Sequence, residues 1–402
     1  MQKYRVAFLN THPIQYFAPL YAYLDALEDV SILAFYLSDY SIRGSSDEAF
    51  GREVKWDIDL LVGYEPRFVK GFRRRNQMRG FLSAIAPSLF REVRDAHVDA
   101  LIVHGHSPAA MLVGIAAAKM AGKPVFMRCE THLGLQRSLL KSTVRRPLMG
   151  GLYSVLDGVF AIGSANADFY RAMGVPERRI FSMPYTVDNA RFTPASQISV
   201  IRRRELRSTL GVEDDRPIVL YAAKFQNRKR PDDLLRAAAK LNSEGARFYL
   251  AMIGSGEMEG DLRALALNLG IENVRFVGFV NQSKMPEMYA ACDVFVLPSK
   301  DEPWGLAINE AMCAGLPIAV SREVGCVPDL IHEGRNGFTF SGGDIAGIAR
   351  ALRPLLSDEG LRRRMADASR AIISGWSYAE CREGLMNALE RTRIQGRDVR
   401  QR

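Results

Sequence analysis

Long apolar runs are missing from this 402-residue chain, and no stretch is uninterrupted enough to cross a bilayer as a helix. Cysteine is scarce and scattered. Cys129, Cys292, Cys313, Cys326 and Cys381 are odd in number and include no close pair. That excludes a zinc-type ligand spacing and a disulfide framework, and it fits a reducing compartment. A convincing secretory leader is missing too. Lys3 and Arg5 precede VAFLNTHPIQYFAPL, but Asn10, Thr11, His12 and Gln15 break that stretch and no small-residue cleavage site follows. The segment reads as a first buried strand, and a cytoplasmic location is expected. There is no short-period repeat, no low-complexity segment and no recognised nucleic-acid-binding module.

What remains is ordinary globular material. Hydrophobic residues make up 48% and charged residues 25%, and the length predicts two or three domains, each able to bury its own core. The net charge of +9 permits contact with nucleotides, anionic lipid or nucleic acid without choosing among them.

Short apolar runs recur along the chain: YRVAFLN, VSILAFYL, VDALIVHGH, KPVFMRC, DGVFAIGS and RIFSMPY. They alternate with helical stretches such as AAMLVGIAAAKMAG, which ends on Gly122. Alternation of this kind predicts β-α-β units and a parallel sheet covered on both faces. It stops in the polar segment TVDNARFTPASQISVIRRRELRSTLGVEDDR, where a domain boundary is expected near residues 188–198. It then resumes with the strands PIVLYAA, RFYLAMIGSG, VRFVGFV, DVFVLPS and PIAVS, and helices between them. The expected organisation is an α/β chain of two Rossmann-like, doubly wound domains, residues 1–190 and 196–376. A tail helix over 377–402 packs back on the first. Ligands of such sheets bind at the carboxyl ends of strands, so the expected site is the cleft between two facing lobes.

Within DEPWGLAINEAMCAGLPIAVS, Glu302 lies in a loop after a strand and Glu310 within the first turns of the helix that starts near Gly305. Backbone amides around Trp304, Gly305 and Leu306 favour an anion at that helix start. Carboxylates only accept hydrogen bonds, so two of them beside an anion site suit a ligand that also carries hydroxyls. A sugar nucleotide has that mixture. Taken alone, the two acids are equally well explained as surface charges at a helix start. Upstream, Lys224, Arg228, Lys229 and Arg230 occupy the loop after another strand, where cations suit a diphosphate or simply face water. Gly254 and Gly256 follow a further strand, either as donor-binding glycines or simply as a turn. Gly278 stands beside two aromatics where a flat base has room to lie.

On these residues the segment from about 216 to 340 resembles the nucleotide-binding lobe of the retaining GT-B glycosyltransferases marked by Glu-x7-Glu. The matching stretches are AAKFQNRKRPDDLLRA, IGSG, VRFVGFV, MYAACDVFVLPSKDEPWGLAINEAMCAGLPIAVS and GFTF. A weaker likeness extends over HPIQYFAPLY, WDIDLLVGYE and the tail after Trp376. The resemblance implies that Glu302 holds donor-sugar hydroxyls and Glu310 the ribose diol. It implies that Lys224, standing where Arg is usual, and Lys229 bind the diphosphate of a UDP- or GDP-hexose-type donor. Lys at 224 keeps the charge and loses the bidentate fork. The amides at 304–306 assist, and no metal or other cofactor is required. Asp57 and Asp59, in a strand-like DID, mimic a metal-binding pair of a different fold and are read as a chance match.

In the first lobe, His12 and Gln15 lie in the loop after the first strand, which lacks the glycines common there in the family. His104 and His106 end another strand, with His106 the better cleft residue. Glu130 stands where the family often has His, and His132 follows two residues later. Arg128, Glu130 and His132 alternate, so in a strand they would share a face, and Arg128–Glu130 would serve equally as a structural salt bridge. Arg73, Arg74, Arg75 and Arg79, beside Phe72 and Phe81, form either a solvated loop or a peripheral contact with anionic membrane. The function expected is transfer of a sugar from a nucleotide donor to an acceptor hydroxyl, the acceptor being sugar, lipid-linked or other. A sugar-nucleotide epimerase or hydrolase, and a non-catalytic two-lobed binding protein, are the alternatives.

Overall fold

The apolar runs become strands because a parallel sheet covered on both faces needs side chains that tolerate burial on both. The structure, a computed structural model, describes residues 3–47, 52–70, 78, 80–135 and 139–400. It divides into two units. The first contains residues up to Ser46, Val54–Tyr185 and the chain from Tyr378 onward, and the second is built on Thr186–Ser377.

The first unit holds a parallel sheet of β1 (Tyr4–Asn10), β2 (Val30–Tyr36), β3 (Glu65–Phe68), β4 (Ala100–His104), β5 (Val125–Arg128), β6 (Gly158–Ala161) and β7 (Ile180–Ser182). Its order is β3-β2-β1-β4-β5-β6-β7. Val6 pairs with Ile32 on one side and Ala100 on the other, so the winding reverses between β1 and β4. The helices α1 (Ala18–Asp25), α2 (Ser88–Asp95), α3 (Ala110–Met120) and α4 (Ser164–Ala172) belong to this unit. Leu9, Leu101, Val103, Met111, Ile115, Met127 and Tyr170 share one buried core between strands and helices. β3 has no apolar run to reveal it. It is an edge strand reading Glu-Pro-Arg-Phe, and an edge tolerates both proline and charge.

In the second unit, α5 (Val200–Thr209) precedes β8 (Ile218–Ala222). There follow α6 (Pro231–Ser243), β9 (Tyr249–Ile253), α7 (Glu259–Asn268), β10 (Val274–Gly278), α8 (Met285–Ala291) and β11 (Val294–Leu297). The chain continues through α9 (Leu306–Cys313), β12 (Ile318–Ser321), β13 (Gly337–Phe340), α10 (Ile345–Ser357) and α11 (Glu359–Ile373). The parallel order is β10-β9-β8-β11-β12-β13, with Leu220 paired to Ala251 on one side and Phe295 on the other. The switch point therefore lies between β8 and β11. Every residue of β8 is buried, whereas the edge strand β10 is half-buried throughout. The last helix, α12 (Tyr378–Arg400), returns to the first unit and lies on β7.

The polar segment that reads as a boundary begins at the division between the units, Tyr185 to Thr186, and carries a short helix, Asn189–Phe192, and then α5. Its polarity is that of helices with one wet face. The DID stretch is bent rather than extended, and the Asp59 carboxylate accepts from the Leu61 amide at 2.9 Å, a local turn. Strand β5 ends at Arg128, so Arg128, Glu130 and His132 do not share a strand face.

Candidate active site

In the second unit the loop after β8 and the loop after β11 meet beside the switch point. Asn227–Lys229 form one 3-10 turn. Arg230 then takes a left-handed conformation (φ 54°) as the N-cap of α6, and its Nε donates to Asp233 at 2.6 Å. The Arg230 side chain is thereby engaged by Asp233 in the first turn of the helix. The Lys300 amide donates to the Arg228 carbonyl at 2.7 Å and ties the two loops together. This brings the Lys229 ammonium into contact with the Glu302 carboxylate, while Arg228 Nη1 lies 3.5 Å from the same oxygen. Lys229 and Glu302 are both nearly buried, and Arg228 keeps its guanidinium half in solvent. Burial holds the Lys229 ammonium below the usual lysine range, Glu302 opposes that shift and Arg228 adds to it. Lys224 is half-buried in the same loop, where the Tyr221 hydroxyl donates to its carbonyl at 3.3 Å.

The helix start after Glu302 is shaped by packing. Gly305 is the N-cap of α9 with φ 97°, and a Cβ there would stand 2.9 Å from Val324 Cγ1. Only glycine satisfies both constraints without strain. The Ile308 amide bonds to the Gly305 carbonyl at 2.8 Å and closes the first turn, and the amides ahead of it at this helix start lie before the hydrogen-bonded ladder of α9. Trp304 precedes the cap and is buried. Its Nε1 donates to Asn309 Oδ1 at 2.9 Å and its ring lies 5.3 Å from that of Trp376. Glu310, 3% exposed on the second turn, accepts from the Tyr289 hydroxyl at 2.7 Å. Sequence reading passed over Tyr289 and Asn309, and gave Arg228 no role beyond its charge. No spacing rule links Tyr289 to Glu310, because they sit on different helices.

The glycines divide. Gly254 and Gly256 run against the backbone of Ala223 and Phe225 and hold the loop after β8 in place. Gly278 ends β10 with open space where a side chain would project. The neighbouring Phe276 is already engaged, with Arg263 4.7 Å over its ring and Phe225 edge-on to it.

The first unit gathers its predicted residues at the carboxyl ends of β1, β4 and β5. His12 has both ring nitrogens engaged, by Thr11 Oγ1 at 2.8 Å and the Tyr40 hydroxyl at 2.9 Å. Gln15 is half-buried in the turn before α1, and His106 is half-buried after β4. His104 bonds to the Tyr21 hydroxyl at 2.9 Å, and burial, with Arg128 nearby, pushes its pKa well down. Arg128 is buried, donates to the Pro184 carbonyl at 2.8 Å and lies over the rings of Phe17 and Tyr185. Glu130 accepts from the Tyr185 hydroxyl, and His132 Nδ1 accepts from the Gly134 amide at 3.2 Å. The cluster Arg73, Arg74, Arg75 and Arg79 lies outside the described residues. Among the described residues no group of three or more His, Cys, Asp or Glu is placed to hold a metal ion, and no helix is long and apolar enough to cross a membrane. A cavity of 550 Å³, bordered by Arg203, Arg207, Asp293 and Glu359, opens at the amino ends of β8, β11 and β12 and shares no residue with the groups above.

Comparison with known proteins agrees with this layout. Residues 202–372 match the family model described as glycosyl transferases group 1, and residues 13–186 match the glycosyl transferase 4-like domain. D-inositol 3-phosphate glycosyltransferase 2 of Catenulispora acidiphila is 31% identical over 69% of this chain and 67% of its own length. The chain belongs to the glycosyl transferases group 1 family. Sulfoquinovosyl transferase SQD2 of Arabidopsis thaliana is 30% identical, and D-inositol 3-phosphate glycosyltransferase of Streptomyces avermitilis is 33% identical. They align with 71% and 69% of this group 1 chain, which spans 55% and 63% of their respective lengths. Among solved structures, Anabaena Alr3699/HepE in complex with UDP and glucose superposes with a TM-score of 0.72 at 19% identity, covering 96% of this chain and 99% of that one. At that identity the likeness establishes the fold, which is the α/β GT-B fold of the family.

Proposed function

We propose that this group 1 protein transfers a sugar from a nucleoside-diphosphate sugar to an acceptor hydroxyl with retention of anomeric configuration. The observation that carries the reading is the Lys229–Glu302 pair at the switch point, beside the amides at the start of α9 and the buried Glu310. Without donor, Glu302 holds Lys229 and neighbours Arg228. An incoming diphosphate takes over these cations together with Lys224, and Glu302 turns its oxygens to the sugar hydroxyls. As the bond from the anomeric carbon to the phosphate oxygen breaks, Lys224, Lys229 and the first-turn amides stabilise the charge left on the diphosphate. The acceptor oxygen bonds to the anomeric carbon from the same face, and its proton passes to a phosphate oxygen. The names of the inositol 3-phosphate and sulfoquinovosyl relatives support sugar transfer, and the UDP-glucose complex of the fold neighbour supports a nucleotide sugar.

The test is a donor screen followed by turnover. UDP-, GDP- and ADP-sugars are each added at saturating concentration, and the true donor class at 100 times its Kd is expected to add about 2.7 kcal/mol of stability, read as a raised Tm. Glu302→Gln is expected to lower transfer at least about 100-fold while the variant stays folded. Donor turnover without acceptor would favour a hydrolase or epimerase, and binding without turnover a sensor.

We also propose that the first unit touches anionic membrane. Phe81, Leu82 (76% exposed) and Ile85 (54% exposed) form an apolar surface immediately after the arginine-rich segment. Such a surface beside basic residues suits the headgroup region. The protein is expected to co-sediment with vesicles containing anionic lipid and not with neutral ones, and Leu82→Ser/Ile85→Ser is expected to abolish this without changing turnover of a soluble acceptor.

A further inference from the structure

Glu310 is a carboxylate buried on the second turn of α9. The thiol of Cys313, one turn further along α9, is pushed upward by burial and by this charge. A buried carboxylate with rotatable χ angles binds well only if something outside its own helix holds it, since each loose rotamer costs affinity. That support comes from α8. Tyr289 is fully buried, with its ring set edge-on against Phe192 (5.9 Å, 77°) and tilted against Phe295 (6.1 Å). Its hydroxyl reaches the first turns of α9, 2.7 Å from Glu310 Oε2 and 3.4 Å from the Ala307 carbonyl. A phenol has one proton to give, and the shorter, charge-assisted contact takes it.

We propose that Tyr289 is a positioning residue for nucleotide recognition. By fixing one oxygen of Glu310 it sets the carboxylate plane, and so the direction in which Glu310 meets the ribose diol. This rests on the donor-binding reading above. Tyr289 touches neither sugar nor phosphate. Its contribution therefore depends on the ribose hydroxyls being present, whereas a purely structural tyrosine would weaken all nucleotides alike.

The experiment is a calorimetric cycle on the full chain, using UDP, GDP and ADP, each with its 2′-deoxy and 3′-deoxy analogues. Tyr289→Phe removes only the hydroxyl. It is expected to weaken the preferred ribonucleotide about 10-fold, the size of one hydrogen bond to a charged group. For at least one of the deoxy analogues the loss is expected to be under about 2-fold, because coupling through a shared partner vanishes when that partner is gone. Equal weakening of all three ligands, or none, overturns the inference while leaving donor binding intact. No binding of UDP, GDP or ADP to the unaltered protein removes the donor reading and the inference with it. Should Tyr289→Phe fail to fold, Phe192→Leu keeps the hydroxyl and loosens the ring. A smaller ribose-selective loss, about 3-fold, is then expected, and its absence overturns the inference equally.

Discussion

Lys229→Ala is expected to lower kcat for sugar transfer by about 100- to 1000-fold, the range seen when one preorganised group facing developing charge is removed. The substitution deletes a cation proposed to meet the diphosphate and also strips the nearly buried Glu302 of its close partner. Lys229→Arg separates the two effects by keeping a charge that is never lost in the accessible pH range. The pH profile adds a second check. Burial and Arg228 together outweigh Glu302, so Lys229 sheds its proton below the usual lysine pKa of about 10.4. Transfer that needs the ammonium is therefore expected to fall on the alkaline side at a pH below that value, and the fall is expected to be absent in Lys229→Arg. The stability linkage has the opposite sign. Between the folded and unfolded pKa values the unfolded chain binds more protons at this position, so this residue's contribution to stability rises with pH there. An alkaline limb that survives in Lys229→Arg would assign it to another group.

Gly384→Ala is expected to destabilise the protein by about 3 kcal/mol, the upper part of the range for overpacking a tight contact. A Cβ at 384 would stand 1.6 Å from the Ser182 carbonyl oxygen and 2.8 Å from its carbon. That oxygen belongs to the backbone of β7, so it cannot swing aside as a flexible side chain does. Leu385, Ala388 and Leu389 are buried on the same helix, Cys381 Sγ donates to the Pro184 carbonyl at 3.2 Å, and Arg382 pairs with Asp29. The helix cannot retreat without giving these up. Gly375→Ala is the control, because a Cβ there meets only the Ile372 carbonyl at 3.8 Å, and a change within about 0.5 kcal/mol is expected from urea unfolding. Similar losses in the two variants would mean that α12 is less closely seated than the contact at Ser182 requires.

Much of this architecture is legible before any coordinate is known. YRVAFLN, PIVLYAA and DVFVLPS each become central strands of their sheets. The reason is that a residue buried on both faces has little alternative to being apolar. Edge strand β3 and the polar helix α5 escaped because exposure relaxes that demand. The alternation of Arg128, Glu130 and His132 misled for a related reason. Period two marks a strand only where the hydrogen-bonded ladder continues, and here it stops at Arg128. The site residues divide along the same line. That Glu302 and the loop cations sit in loops after strands was legible from the sequence. The engagement of His12 by Tyr40 was not, nor the pairing of Arg230 with Asp233.

Sequence alone determined the β-α alternation, the family resemblance and the chemical kind of each loop, because burial and turn chemistry act over a few neighbouring residues. Only the tertiary structure decided which charges meet. Lys229 and Glu302 are 73 residues apart and Tyr289 and Glu310 are 21 apart, and strand order with helix packing sets them side by side. Hydrophobic periodicity tells a side chain whether to face the core, and it carries no information about which distant partner will be waiting there.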